Sequence, residues 1–313
     1  MKQKLLRGLG AVLAAALVLS AGMLLRQNFQ YREAERTYAE AEDLAGLPDL
    51  SQIPAVEEKP PLVEKPEQKE EQPAPVDPYA RALRNMDFAA LREVNSDVVG
   101  WIMIPDTRIS YPLVQGEDNQ YYLNHTWKKW SSVVGAIFLE CGNSRDLSNF
   151  NTIVYGHRMN DGSMFASLKN YRRQSYWQAH PRVYITDDSG SRTYEIFAAY
   201  EAGTEENTYQ LQFSDTQARQ DFIDDALARS VLHTGVTPRP YDRILTLSTC
   251  TGSGHATRWV VQAVLWGEEP VKNETQEESR TAPEEPETAG SALDTALNRA
   301  LSGAAAESDA PVS

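Results

Sequence analysis

The segment ILTLSTCTGSGHATRWVVQAVLW, residues 244–266, carries a cysteine and an arginine at positions where both could do chemistry. Its pattern is that of a strand, a polar loop and a second strand, with Cys250 ending the first strand and Arg258 beginning the second. The thiolate is the nucleophilic form of cysteine, and a free thiol with a pKa of about 8.5 is mostly protonated at neutral pH. A catalytic Cys250 therefore needs solvent access and a base or a cation nearby. The flanking Thr249 and Thr251 indicate a polar strand end, which favours access.

The competing interpretation of Cys250 is a packing residue, because cysteine is often buried and unreactive. Cys141 is the second of the two cysteines in the chain. Neither belongs to a CxxC or Cys/His spacing, so the sequence predicts no metal site and no cofactor. Spacing does not decide whether the two form a disulfide, although the surroundings of Cys250 favour a free thiol.

The best candidate for the base is His157, one of five histidines in the chain. It lies in NTIVYGHRMNDGSMF, where a predicted strand ends, and a strand end is a rigid platform for a site. A purely structural histidine is the alternative. The other histidines lie in predicted loops or turns: His125, His180, His233 and His255.

Arg258 follows Cys250 by eight residues. If the loop between them returns the chain antiparallel, the two residues can face each other across a strand pair. A guanidinium cannot act as a base, but it can donate hydrogen bonds to a carbonyl oxygen that becomes an oxyanion. A surface arginine at the start of a strand is the alternative.

These residues must be positioned by a folded part that we place at residues 79–267. It contains eight short segments rich in Val, Ile, Tyr and Trp, many of them separated by turn residues. Two helices are expected between strands, in MFASLKNY and in DTQARQDFIDDALARS, where Asp215 can cap the second. This pattern predicts a mainly β fold, a closed or nearly closed barrel with a few short helices. Periodicity alone does not exclude a sandwich.

The N-terminus has the pattern of a membrane-targeting segment. Three basic residues in 1–7 precede an uncharged, mostly apolar run at 8–25, close to the about 20 residues that a bilayer-spanning helix needs. The basic flank favours a cytoplasmic N-terminus, with the rest of the chain outside. We expect an uncleaved transmembrane signal anchor, because the run continues past the small residues Ser20 to Gly22 that could be a signal-peptide cleavage site.

Three further segments are predicted to lie outside the core. Residues 26–47 are rich in Ala and Glu and read as a solvated helical stem. Residues 48–78 form a Pro/Glu-rich disordered linker, and 268–313 form an acidic disordered tail. Much of the net charge of −14 lies in the linker and the tail. With no basic patch among interleaved aromatics, nucleic acid is not an expected partner.

The combination of TLSTC, a following arginine and IVYGHRMNDGSMF resembles the sortases. VNSDVVGWIMIPDTRISYPLVQGEDNQYYLNHTW and GAIFLE resemble class B in particular, and the similarity covers about residues 88–266. The resemblance implies a sortase-type eight-stranded β-barrel and a cysteine transpeptidase. It assigns catalytic roles to Cys250, His157 and Arg258 and suggests that Ser248 and Thr249 line the substrate groove. His125 matches a class B position without a role, and Cys141 departs from the class B pattern.

The activity implied by the resemblance is cleavage of a C-terminal sorting signal of secreted proteins through a thioester. The acyl group then passes to a peptidoglycan precursor or cell-wall peptide amine, at the extracellular face of the cell membrane. One alternative is a pilin polymerase that joins subunits through lysine; a simple hydrolase and a non-enzymatic wall-binding module are others. Retention of all three chemical types, Cys250, His157 and Arg258, disfavours the non-enzymatic module.

Overall fold

A closed eight-stranded β-barrel forms the centre of the computed structural model, which describes residues 2–53, 77–250 and 256–271. The strands follow one another around the barrel in the order β1-β2-β3-β4-β7-β8-β6-β5. Their bounds are β1 Val98–Met103, β2 Ser110–Val114, β3 Ile137–Leu139, β4 Asn151–Tyr155, β5 Arg182–Asp187, β6 Gly190–Gly203, β7 Ile244–Cys250 and β8 Thr257–Pro270. The predicted barrel is confirmed, and the sandwich alternative is excluded.

The strand pairing mixes two geometries. β4 pairs with β7 and β2 pairs with β3 in parallel, whereas β7 and β8 and the remaining neighbours are antiparallel. Because the barrel is closed, every strand is paired on both sides. No edge strand is left with unpaired backbone groups to which another chain could add. The parallel pairing of β4 with β7 makes both strands end at the same rim of the barrel.

Helices and 3-10 turns precede the barrel and connect its strands. The helices are α1 Lys2–Leu44, α2 Pro78–Leu83, α3 Ala89–Val94, α4 Gln174–Ala179 and α5 Thr216–Arg229, with 3-10 turns at Leu50–Gln52, Tyr121–Leu123, Phe165–Arg172 and Asn207–Tyr209. Asp215 caps α5 as predicted, because its carboxylate accepts a hydrogen bond from the Ala218 amide at 2.9 Å. The other predicted helix, in MFASLKNY, is the 3-10 segment Phe165–Arg172.

Helix α1 corrects the expectation of a solvated stem at 26–47. Ala34, Tyr38, Ala41 and Ala45 are buried in the main hydrophobic core. The spacing of the first three places them on one face of the helix, and Ala45 directly follows its end. Because three of the four are alanines, the backbone of α1 can approach the barrel closely. In the sequence these four residues belong to an ordinary helix-forming composition, and nothing in that composition marks them as buried.

Hydrogen bonds and an ion pair also join α1 to the loop between β2 and β3. The Trp127 indole donates to the Thr37 carbonyl at 2.9 Å, and the Lys128 ammonium pairs with Glu40 at 2.5 Å. Trp127 is fully buried, so its indole needs such a partner. The second half of α1 is therefore part of the folded domain.

The structure describes only part of the two ends of the chain. Within the part of the chain that the structure describes, no helix combines the length and apolar composition that crossing a membrane requires. β8 runs to Pro270, past the predicted start of the tail at 268, and Glu268 pairs with the Arg192 and Arg243 guanidinium groups. The rest of the predicted tail, from 272, and most of the predicted linker, 54–76, lie outside the described residues.

Candidate active site

Strand β7 lies between β4 and β8, and this order brings the three predicted catalytic positions to one rim of the barrel. Cys250 is paired with Arg258 in the antiparallel register of β7 and β8. Opposite Cα atoms in such a pair are about 4.5–5.5 Å apart. The predicted return of the chain between Cys250 and Arg258 is thus confirmed for the backbone. The side chain of Cys250 lies outside what the structure describes.

His157 reaches the same rim from the other side of β7. Tyr155 is the last residue of β4 and is paired with Ser248, and the Gly156 amide donates to the Ser248 carbonyl at 3.2 Å. His157 lies two residues beyond Tyr155, as Cys250 lies two residues beyond Ser248. Neighbouring strands are about 4.8 Å apart. The two positions are therefore in register on adjacent parallel chains.

The imidazole of His157 is half-buried and has a defined orientation. Its Nε2 atom lies 2.6 Å from the Leu123 carbonyl oxygen. Since a carbonyl can only accept, Nε2 carries a hydrogen and donates it. The backbone of His157 is also fixed, because its carbonyl accepts from the Phe165 amide at 2.9 Å.

Arg258 is half-buried at the start of β8. Its Nη1 donates to the Thr257 carbonyl at 3.1 Å, while the Thr257 hydroxyl donates to the Glu201 carboxylate at 2.6 Å. Among the described residues, no group of His, Cys, Asp and Glu side chains has the arrangement of a metal site. The residues whose backbones meet at this rim are a cysteine, a histidine and an arginine.

The two predicted groove residues lie in different surroundings. The Ser248 hydroxyl is 3.0 Å from the Tyr209 hydroxyl, on the side of β7 where the Asn207–Tyr209 turn packs. Side chains alternate along a strand. Thr249 therefore points the opposite way, and it is paired with Trp259 of the hydrophobic core. Ser248 and Thr249 are both buried, and each is 2% exposed.

A buried carboxylate that the sequence analysis did not single out supports the strand that leads to His157. Glu140 accepts from the Tyr155 hydroxyl at 2.8 Å and from the Asn119 amide at 2.5 Å. Burial, followed by the neighbouring Glu140 carboxylate, raises the pKa of Tyr155. Glu140 was visible in sequence as the last residue of GAIFLE, but its partners come from distant segments.

The remaining candidates of the sequence analysis have other surroundings. His125 stacks on the Tyr121 ring with centroids 4.0 Å apart, and His233 is exposed after α5. The His180 ring contacts the Pro105 carbonyl at 3.1 Å, and His255 lies outside the described residues. Cys141 is an exposed, free thiol.

Comparisons with known proteins agree with this geometry. The model of the sortase domain family matches residues 102–266. The chain is 41% identical over 162 residues to sortase B of Listeria monocytogenes, covering 51% of this chain and 65% of that protein. It is 36% identical over 163 residues to sortase B of Staphylococcus aureus, covering 52% of this chain and 67% of that protein. The match to the Listeria protein thus spans just under two thirds of its length.

Solved structures give the same family. The sortase B of Bacillus anthracis in complex with AAEK1 has a TM-score of 0.59 and 30% identity, covering 76% of this chain and 98% of that one. The S. aureus sortase B–substrate complex has a TM-score of 0.55 and 35% identity, covering 57% and 84%. A sortase B complexed with triglycine has a TM-score of 0.55 and 35% identity, covering 57% and 85%.

The matched family model covers more than half of the chain and includes all or part of each of the eight strands. The chain therefore belongs to the sortase family, a family of cysteine transpeptidases. The relatives named above are sortase B proteins, in agreement with the class B resemblance of the sequence.

Proposed function

We propose that this chain is a class B sortase that transfers an acyl group through Cys250, with His157 and Arg258 as the other catalytic residues. The observation that carries the proposal is the backbone register. β7 ends at Cys250, with Arg258 opposite it on one side and the position of His157 in step with it on the other. Family membership supplies the reaction type.

In the first half-reaction, Cys250 reacts as the thiolate while His157 carries the proton, and the sulfur attacks the carbonyl carbon of a peptide bond in the sorting signal. The carbonyl oxygen takes up negative charge, and Arg258 stabilises it with its guanidinium hydrogens. The C–N bond then breaks, His157 gives a proton to the departing amine, and a thioester remains on Cys250. In the second half-reaction, an incoming amine gives up a proton to His157 and attacks the thioester. The Cys250 thiolate is released and a new amide bond forms, with His157 again protonated.

The contact between His157 and Leu123 bears on which ring nitrogen exchanges protons. Because Nε2 donates to the Leu123 carbonyl at 2.6 Å, the neutral ring has its hydrogen on Nε2. Proton exchange with the reactants then falls to Nδ1. In the protonated ring the same carbonyl keeps its hydrogen bond, so the imidazole can change charge without turning.

We propose secreted proteins with a C-terminal sorting signal as the acyl donors and a cell-wall peptide amine as the acceptor. The related S. aureus structure is a complex with substrate, and another sortase B structure contains triglycine, a peptide with a free amine. We place the reaction on the extracellular face of the membrane. The basic start and apolar run of the sequence support this location, and protease digestion of intact cells would test it.

The decisive experiment is incubation of the protein with a library of fluorogenic sorting-signal peptides, with and without amine acceptors. Intact mass spectrometry would detect the thioester on Cys250. We expect turnover that Cys250→Ala abolishes, and a product joined to triglycine or to a wall-peptide amine. Transfer only to a lysine-containing pilin peptide would indicate a polymerase, and release by water alone would indicate a hydrolase. Absence of any Cys250-dependent turnover across the library would refute an enzymatic function.

A further inference from the structure

Two segments hold His157, and both are linked to the same residue of helix α1, one directly and the other through Tyr111. The first segment is the loop between β2 and β3, whose Leu123 carbonyl accepts from the imidazole. Gly135 of this loop lies against the ring of His157, since a Cβ atom added to it would be 3.0 Å from His157 Cδ2. The Tyr38 hydroxyl donates to the Gly135 carbonyl at 2.7 Å. Tyr38 thus fixes the peptide that packs against the imidazole.

Gly135 leaves little freedom at this contact. Its φ of +64° is in the left-handed region that favours glycine. An added Cβ atom would also lie 2.7 Å from the Tyr122 carbonyl oxygen and 2.8 Å from that of Leu123. At Gly135 the loop therefore contacts the imidazole of His157 through backbone atoms alone. A shift of Gly135 would move both this contact and the Leu123 carbonyl that accepts from the imidazole.

The second segment is the stretch that follows His157. The Phe165 amide donates to the His157 carbonyl at 2.9 Å, and the preceding Met164 amide donates to the Tyr111 hydroxyl at 2.9 Å. The rings of Tyr111 and Tyr38 meet edge to face with centroids 5.1 Å apart. Tyr38 therefore contacts the supports on both sides of His157.

We propose that Tyr38 is a positioning residue for the transpeptidation reaction, and that the second half of α1 acts through it to orient His157. The inference rests on the proposed role of His157 as the acid and base. Tyr38 touches neither substrate nor reacting atoms; it holds the Gly135 peptide and the Tyr111 ring. Because catalytic groups must be held within a fraction of an ångström, loosening this support should slow the chemical steps.

The test compares two matched tyrosine variants of the full chain, Tyr38→Phe and Tyr171→Phe. Tyr171 is also buried, its hydroxyl donates to the His180 carbonyl at 2.7 Å, and its ring meets Tyr176 edge to face at 4.9 Å. Both variants remove one hydroxyl that donates to a backbone carbonyl and keep the aromatic ring. They should therefore lower the melting temperature by similar amounts, which makes Tyr171→Phe the control for a structural effect.

For Tyr38→Phe we expect kcat for transfer to fall by about fivefold or more, the factor that corresponds to one hydrogen bond of about 1 kcal/mol. KM for the sorting peptide should stay within about twofold, because the substrate contacts are not altered. Tyr171→Phe should keep kcat within about twofold of the unchanged protein. Tyr111→Phe, which removes the acceptor of the Met164 amide, should lower kcat in the same way as Tyr38→Phe.

Equal kcat values for Tyr38→Phe and Tyr171→Phe, in an active protein, would overturn the positioning role while leaving the proposed function intact. A rise in KM at unchanged kcat would overturn it as well. If the unaltered protein shows no turnover that depends on Cys250, the proposed function itself fails. Thermal melts of each variant show whether the protein compared is folded, and if Tyr38→Phe does not fold, Tyr111→Phe decides the question by the same criteria.

Discussion

Asp77 is a buried carboxylate whose replacement should reveal how helix α2 is attached to the barrel. Its side chain is 2% exposed and accepts hydrogen bonds from the Tyr79 and Ala80 amides at 3.0 and 3.3 Å, which caps α2. It also accepts from Arg182 Nη1 at 2.8 Å and from the Tyr184 hydroxyl at 3.0 Å, both on β5. One carboxylate therefore joins a helix start to a strand through a buried ion pair.

The magnitude follows from which of these contacts a substitution removes. Asp77→Asn keeps an oxygen that can cap α2, but it removes the negative charge beside Arg182. Breaking a buried pair by removing one partner costs about 3–5 kcal/mol, and Arg182 is only 13% exposed. The ring of Trp266, 4.5 Å from the Arg182 guanidinium, compensates part of this loss. We expect Asp77→Asn to lower the free energy of unfolding by about 3 kcal/mol.

Asp77→Ala should cost about 1 kcal/mol more, because it also removes the cap. Urea denaturation followed by tryptophan fluorescence measures both values. In the double variant Asp77→Asn/Arg182→Met, no unpaired buried charge remains, so part of the stability should return. A loss below about 1 kcal/mol for Asp77→Asn would contradict the reasoning, since it would mean that the ion pair is no stronger than an exposed one. Transfer activity of the folded variant should be retained, because Asp77 contacts Arg182 and Tyr184 of β5, whereas the proposed catalytic residues lie at the ends of β4, β7 and β8.

Four other predictions concern single side chains. Arg258→Lys should lower kcat at least about tenfold, because an ammonium cannot reproduce the planar donor fork; near-normal activity would remove Arg258 from the mechanism. Burial raises the pKa of the Glu42 carboxyl above its ordinary 4.5, so the folded protein binds the proton of this group more tightly than the unfolded chain does. Ionisation of Glu42 therefore lowers the stability of the fold as the pH rises above 4.5. Glu42→Gln should therefore raise the melting temperature at pH 7 and lose this advantage below about pH 4, and a pH-independent difference would refute the assignment. Although Cys141 is exposed, partial desolvation of its sulfur and then the Glu140 hydrogen bond and charge raise the pKa of the thiol. Iodoacetamide should therefore label Cys141 in the Cys250→Ala protein more slowly than it labels free cysteine. Cys141→Ser should leave transfer activity unchanged, as measured with the fluorogenic peptide.

The sequence by itself determined the local structure and the chemical types at the site. Each of the eight strand segments was readable from its composition and its bounding turns, and the cap of α5 from a single aspartate at the right place. The return of the chain from Cys250 to Arg258 was predictable because only eight residues separate them. These features depend on interactions within a few residues, which is the range over which side-chain periodicity and turn chemistry act.

Tertiary structure alone decided which distant segments meet. The stripe Ala34, Tyr38, Ala41 and Ala45 looked like a solvated helix, and its packing became visible only with the barrel in place. The Tyr38 hydroxyl and its acceptor Gly135 are 97 residues apart, and His157 and Leu123 are 34 apart. The partner in the second contact is a backbone carbonyl, which every residue has and no motif marks. The orientation of His157 therefore comes from long-range packing, to which the local pattern of the sequence is insensitive.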